Sequence, residues 1–96
     1  MRTYELEFLP SAEREWKKLD STIRTQLKKK LLERIGNPRV EADKLRDYPN
    51  LYKIKLKALG YRLLYEVVDD RLVVLVIKVG KRENDDVYKD VAERWH

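Results

Sequence analysis

The run Leu-Val-Val-Leu-Val-Ile at residues 72–77 constrains the fold of this chain most. A half-buried strand alternates apolar and polar side chains, whereas this run is apolar at every position and so reads as a strand covered on both faces. It is far short of the ~18 apolar residues of a membrane span. A central strand needs strand neighbours on both sides and a layer to cover it, and 96 residues suffice for one such arrangement. A single domain over residues 1–96 is therefore expected.

The flanking sequence supplies the partners. "TYELEFL" alternates, with Tyr4, Leu6 and Phe8 facing one way, and ends at Pro10. "SAEREWKKL" reads as a helix capped by Ser11, with Ala12, Trp16 and Leu19 on one face. A longer helix follows, capped by Asp20 or Ser21, with Ile23, Leu27, Leu31 and Ile35 four residues apart and Leu32 widening the stripe. Lys28, Lys29 and Arg34 fall on the opposite face; Gly36 suits the C′ position, and Pro38 prevents continuation. The two helices should form an αα-hairpin on a sheet. Strands near 51–57 and 61–68 are joined by "ALG", Asp69–Asp70 turns the chain into the central strand, and Gly80 ends it. "ENDDVYKDVAERW" reads as a short C-terminal helix with Val87, Val91 and Trp95 at spacing four. This order makes the fold α+β.

Charged residues make up 41% of the chain, against roughly 25% in average globular proteins. Residues 1–82 carry 20 Lys and Arg against 12 Asp and Glu, whereas residues 83–96 carry two against five. A basic body suggests a polyanionic partner such as nucleic acid. The absence of cysteine excludes disulfides, thiolate metal sites and a cysteine nucleophile. The first residues lack the apolar core of a signal peptide, so a soluble cytoplasmic protein with no membrane partner is expected.

Alternation places Lys53, Lys55 and Lys57 on one strand face and Tyr52, Ile54 and Leu56 on the other. In the next strand Tyr61, Leu63, Tyr65 and Val67 oppose Arg62, Leu64 and Glu66, so the hairpin can bring the lysines to Arg62. Lysines also protect exposed strand edges from aggregation, and for the hairpin alone that is the simpler explanation. Residues 51–65 contain no Asp or Glu, however, and like charges gathered without counter-charge suit an anionic guest. Lys81 and Arg82 follow the central strand, and Tyr88 comes soon after. His96 has no serine or cysteine partner, and the three glycines make no phosphate loop.

Four stretches, "EWKKLDSTIRTQLKKKLLE", "NPRVEADKLRD", "YKIKLKALGYRLLYEV" and "VIKVGKRENDDVY", together resemble the RelE family of bacterial toxins from type II toxin–antitoxin systems, within the RelE/ParE superfamily. The resemblance covers nearly the whole chain. It implies a microbial-ribonuclease-like α+β fold: a mainly antiparallel four- to five-stranded sheet, an N-terminal αα-hairpin and a short C-terminal helix. It implies a metal-independent, cofactor-free endoribonuclease that cuts messenger RNA in the ribosomal A site and inhibits translation. Its implied partners are a RelB-like antitoxin, the ribosome with its 16S rRNA, and mRNA, with operator DNA reached through the antitoxin in autoregulation and a place in stress responses. The family's catalytic positions fall on Lys53 and Lys55 of "YKIK", Arg62 of "GYR", Arg82 of "GKRE" and Tyr88 of "DDVY". Lys57, Lys81, Lys28 and Lys29 are expected to give electrostatic support to RNA binding.

That set suits RNA cleavage by the 2′-hydroxyl. A lysine crowded by cations has its pKa lowered, so Lys55 is the expected base. Arg62 and Lys53 would stabilise charge at phosphorus, Arg82 the leaving oxygen, and Tyr88 would orient the 2′-hydroxyl or stack on a base. The alternatives are a gyrase poison of the ParE branch, which would not need this set, and a ribosome- or RNA-binding module without catalysis.

Overall fold

The computed structural model describes residues 3–81. The expected C-terminal helix, with Arg82, Tyr88, the acidic segment and His96, lies outside them. Strand β1 (Glu5–Phe8) leads into helix α1 (Pro10–Lys17), which starts two residues earlier than a Ser11 cap would allow. Pro10 takes the first helical turn, where its fixed φ suits the helix and its missing N–H is not needed; Leu9 is the N-cap and makes no side-chain bond. Helix α2 (Ser21–Arg34) starts as expected, its Asp20 carboxylate accepting from the Thr22 N–H at 3.0 Å.

The α2 stripe is narrower than the sequence suggests. Leu27 and Leu31 are fully buried and Ile23 and Ile35 pack against the same cluster, but Leu32 is 54% exposed. Leu32 lies about 100° around the helix from Leu31, which takes it off the buried face. Arg34, assigned to the solvated face with Lys28 and Lys29, instead turns toward the sheet on the flank of the stripe, with its side chain 16% exposed. Gly36 follows the C-cap Ile35 as expected, but without the left-handed conformation, which among described glycines belongs to Gly60.

Strands β2 (Leu51–Leu56), β3 (Tyr61–Val68) and β4 (Val73–Lys81) form an antiparallel meander, and β1 adds parallel to β4, giving the order β1-β4-β3-β2. The apolar run is therefore interior, as its pattern demands. Val74, Val76 and Val79 meet Ala12, Leu27, Leu31, Leu63 and Tyr65 beneath the helical hairpin, where Phe8 and Trp16 pack at 5.2 Å between ring centroids. Ile77 faces the other way, joining Leu51 and Leu64 under Leu9, Leu45 and Tyr48. Burying each of these aliphatic side chains contributes about 1.5–3 kcal/mol.

Three details depart from simple alternation. β2 ends at Leu56, not Lys57, because the Leu56 carbonyl accepts from both Leu59 and Gly60 N–H groups and closes a turn through Gly60 at φ 70°. β4 continues through Gly80, which pairs with Arg62. Between Tyr65↔Val76 and Leu64↔Lys78 the register shifts by one residue, leaving Ile77 as a bulge. The bulge resets the pleat, so Lys78 shares the face of Leu64 rather than that of Val76.

Candidate functional site

The face opposite the helical hairpin is built from β2, β3 and β4. Leu51 O lies on the outer edge of β2, where it accepts from Leu45 N–H, and by alternation the main-chain groups of Lys53 and Lys55 face outward too. Lys55 lies directly across from Arg62, and Lys53 across from Leu64. Both are non-hydrogen-bonded pairs, the closer type, with side chains projecting from the same face. Lys53, Lys55 and Arg62 are each half-buried, on two rigid strands.

This crowding changes the chemistry of Lys55. The Lys53 ammonium, partial desolvation, then Arg62 and Lys57 hold the Lys55 pKa below the ordinary lysine range, while the Asp43 carboxylate works against them. Asp43 lies outside the acid-free window 51–65 and is brought close by the fold. Its carboxylate is engaged by Arg34 at 2.6 Å.

The expected supporting lysines divide. Lys57, in the turn, lines a 340 Å³ cleft with Lys55, Leu56, Ala58, Leu59, Gln26 and Lys30. Lys29 lines the neighbouring cleft with Gln26, Lys30 and Glu33. Lys28 instead lines a separate groove with Trp16, Ser21, Arg24 and Thr25, away from Lys55. Lys81 pairs with Tyr61, whose ring packs against the core under the helices, so alternation puts Lys81 on the helical side rather than the Arg62 side. Arg82 and Tyr88 lie outside the described residues.

Two cations were not among the expected site residues. Lys30, whose run 28–30 reads from sequence as a solvated helix face, is the α2 lysine that shares the cleft with Lys55. Lys78 is 7% exposed and, through the Ile77 bulge, stands on the face of Arg62 and Leu64. A lone lysine within an otherwise apolar strand was the available signal for it. The parity change that gives it this position has no sequence signature.

Two arginines fix the loop beside β2. The Arg34 guanidinium donates to Lys53 O at 3.3 Å, Tyr65 Oη at 2.9 Å and Asp43 Oδ2 at 2.6 Å, while the Tyr65 hydroxyl donates to Pro38 O at 2.7 Å. Burial works against the Arg34 charge, but Tyr65 and Asp43 outweigh it and its pKa is raised. Arg39 donates to Tyr52 Oη, Asn50 Oδ1 and Asp69 Oδ2, and Asp69 also accepts from Tyr4. Among the described residues no helix is long and apolar enough to cross a membrane.

Similar sequences and the same architecture occur in other proteins. A family model described as the ParE toxin of the type II toxin–antitoxin system, parDE, matches residues 6–86. The mRNA interferase toxin RelE of Escherichia coli (strain K12) is 55% identical over 91 residues, covering 95% of this chain and 96% of that protein. The mRNA interferase RelE of Shigella flexneri matches to the same extent, 55% over 91 residues. The structure of a double arginine-to-alanine mutant of E. coli RelE in the free state superposes with a TM-score of 0.91 at 52% identity, covering 99% of this chain and 100% of that one. The toxin in the intact E. coli RelBE toxin–antitoxin complex gives 0.81 at 57% identity, covering 84% of this chain and 99% of that one. A family model spanning most of the chain and relatives sharing over half of its residues agree with the α+β fold: this chain belongs to the RelE/ParE family of type II toxin–antitoxin toxins.

Proposed function

We propose that this protein is a ribosome-dependent endoribonuclease that cleaves mRNA in the A site and is restrained by a RelB-like antitoxin. The observation that carries the reading is the Lys55–Arg62 cross-strand pair with Lys53 beside it, in a chain 55% identical to an mRNA interferase. The RNA 2′-oxygen attacks phosphorus, the P–O5′ bond breaks, O5′ takes up a proton from solvent, and the products are a 2′,3′-cyclic phosphate and a 5′-hydroxyl. Lys55, its ammonium already disfavoured by neighbouring cations, takes the 2′-hydroxyl proton. Arg62 and Lys53 stabilise the negative charge on the five-coordinate phosphorane. Arg82 supports the departing 5′-oxygen and Tyr88 orients the nucleophile; both roles rest on the family resemblance.

Three cations on a solvated sheet face hold RNA without aligning it. The ribosome supplies the alignment, so cutting is efficient on programmed ribosomes and slow on free RNA. Lys57, Lys30 and Lys29 extend the cationic surface away from Lys55 and grip ribosomal RNA. The matching family model bears the ParE name, which makes a gyrase poison the second reading. One assay separates the two: purified protein is incubated with ribosomes on a defined message and 5′ ends are mapped by primer extension. Discrete A-site cuts, lost in Lys55→Ala, are expected. Intact message together with gyrase-trapped DNA would establish the second reading, and cuts undiminished by Lys55→Ala would remove the base assignment.

A further inference from the structure

β2 is the outer strand of the sheet, yet it carries both lysines of the site. An edge strand lacks the second ladder that fixes an interior one, so something else has to hold its outward main-chain groups. At the start of β2, Leu45 N–H bonds Leu51 O and Lys44 bridges to Tyr52. The next outward carbonyl, that of Lys53, is held by Arg34. The same guanidinium bonds Tyr65 on β3 and Asp43 in the loop, and its carbon lies 5.9 Å from the centre of the Tyr65 ring. One planar fork therefore ties the end of α2, the loop and two strands together at the residue preceding Ile54 and Lys55. A lysine has the charge for this place but not the fixed geometry for three acceptors.

The fork has a second effect. Lys55 is faced by Lys53 on its own strand, Arg62 from β3, Lys57 from the turn, Lys30 from α2 across the cleft, and Asp43 from the loop. Asp43 is the acid in that set, and Arg34 neutralises it through a short, mostly buried ion pair. We infer that Arg34 is a positioning residue of the cleavage site, fixing the main chain that presents Lys53 and Lys55 and shielding Lys55 from the Asp43 charge. The inference rests on the endoribonuclease reading for its effect on cleavage, but the charge it assigns to Lys55 can be measured without catalysis.

The test titrates the Lys55 side chain by 13C-edited NMR and measures cleavage on programmed ribosomes for wild type, Arg34→Met, Arg34→Lys and Asp43→Asn. Removing Arg34 leaves Asp43 uncompensated, so the Lys55 midpoint rises in Arg34→Met. It falls in Asp43→Asn and stays near wild type in Arg34→Lys. In cleavage, Arg34→Met lowers kcat about tenfold or more with KM within twofold, the pattern of a displaced catalytic group. Arg34→Lys restores the midpoint but only part of kcat. A Lys55 midpoint unmoved by both Arg34→Met and Asp43→Asn would overturn the inference, as would a lowered Tm with kcat intact. Should Arg34→Met fail to fold, Arg34→Lys and Asp43→Asn decide alone. Absence of cleavage by the wild type would count against the endoribonuclease reading, while the titration would still judge the shielding.

Discussion

Tyr65→Phe isolates one hydroxyl in the core. Tyr65 is fully buried and stacks on Tyr52 at 5.7 Å and 17°, contacts that phenylalanine keeps. The lost oxygen donates to Pro38 O at 2.7 Å and accepts from Arg34 at 2.9 Å. Burial raises the Tyr65 pKa, so the hydroxyl keeps its proton and both bonds persist across neutral pH. The substitution leaves a buried carbonyl without this donor and a half-buried guanidinium without one of three acceptors. Pro38 O keeps the Val40 N–H at 3.1 Å and Arg34 keeps Lys53 O and Asp43, so neither is orphaned, and two lost bonds at about 1 kcal/mol each give an expected destabilisation of about 2 kcal/mol. For a domain of this size that lowers Tm by roughly 8–16 °C. Tyr52→Phe is the matched control: its hydroxyl accepts from Arg39 at 3.1 Å, but Arg39 is 38% exposed and water can replace the bond, so the cost stays below about 1 kcal/mol. Urea denaturation of both variants with unchanged m-values is the assay. Equal stability losses in the two, or a Tyr65→Phe loss under about 0.5 kcal/mol, would refute the claim that this hydroxyl anchors the loop.

Lys78→Met, which keeps the length of a side chain 7% exposed, is expected to lower cleavage on programmed ribosomes about tenfold, the worth of one charge-assisted contact of about 1.4 kcal/mol. Lys30→Ala combined with Lys57→Ala should weaken binding to single-stranded RNA and reduce the slope of log affinity against log salt by roughly 1.4, about 0.7 for each lost phosphate contact, as read by fluorescence anisotropy. Lys28→Ala, in its separate groove, should leave RNA binding near the active site unaltered in a crosslinking assay with a site-specific photoprobe. The Asp69 carboxylate is held below its usual pKa by the Tyr4 hydroxyl and Arg39, so its contribution is present at neutral pH and lost as pH falls through that lowered value. Asp69→Asn should therefore cost under about 1 kcal/mol at pH 7, the pair being about half exposed, and nothing in acid; urea melts at the two pH values compare them.

Wherever periodicity alone dictates burial, this fold was legible in the sequence. The unbroken apolar run became the interior strand, the four-residue spacing of Ile23, Leu27, Leu31 and Ile35 marked the covered side of α2, and strand alternation set Lys53 and Lys55 apart from Tyr52 and Ile54. These are averages over several residues, and a single local exception does not disturb them. What stayed hidden depended on one residue departing from its period. Lys57 fell into the turn, still beside Lys55, because a left-handed Gly60 closed the turn one residue early, and Lys78 joined the cationic face because one bulged residue reversed the pleat.

Electrostatic partners were the least legible, because a charge is assigned its role by neighbours far along the chain. The stretch 51–65 holds no acid, which suggested cations without counter-charge. In the fold Asp43 acts on Lys55 from a different segment, against the larger effects of Lys53, Arg62 and Lys57, and its carboxylate is bonded by Arg34, itself read as a solvated helix residue. The hairpin supplies most of the cationic character of this face, and the end of α2 adds to it by engaging the Asp43 carboxylate, so a chain with the same hairpin but no cation at position 34 would present a different Lys55.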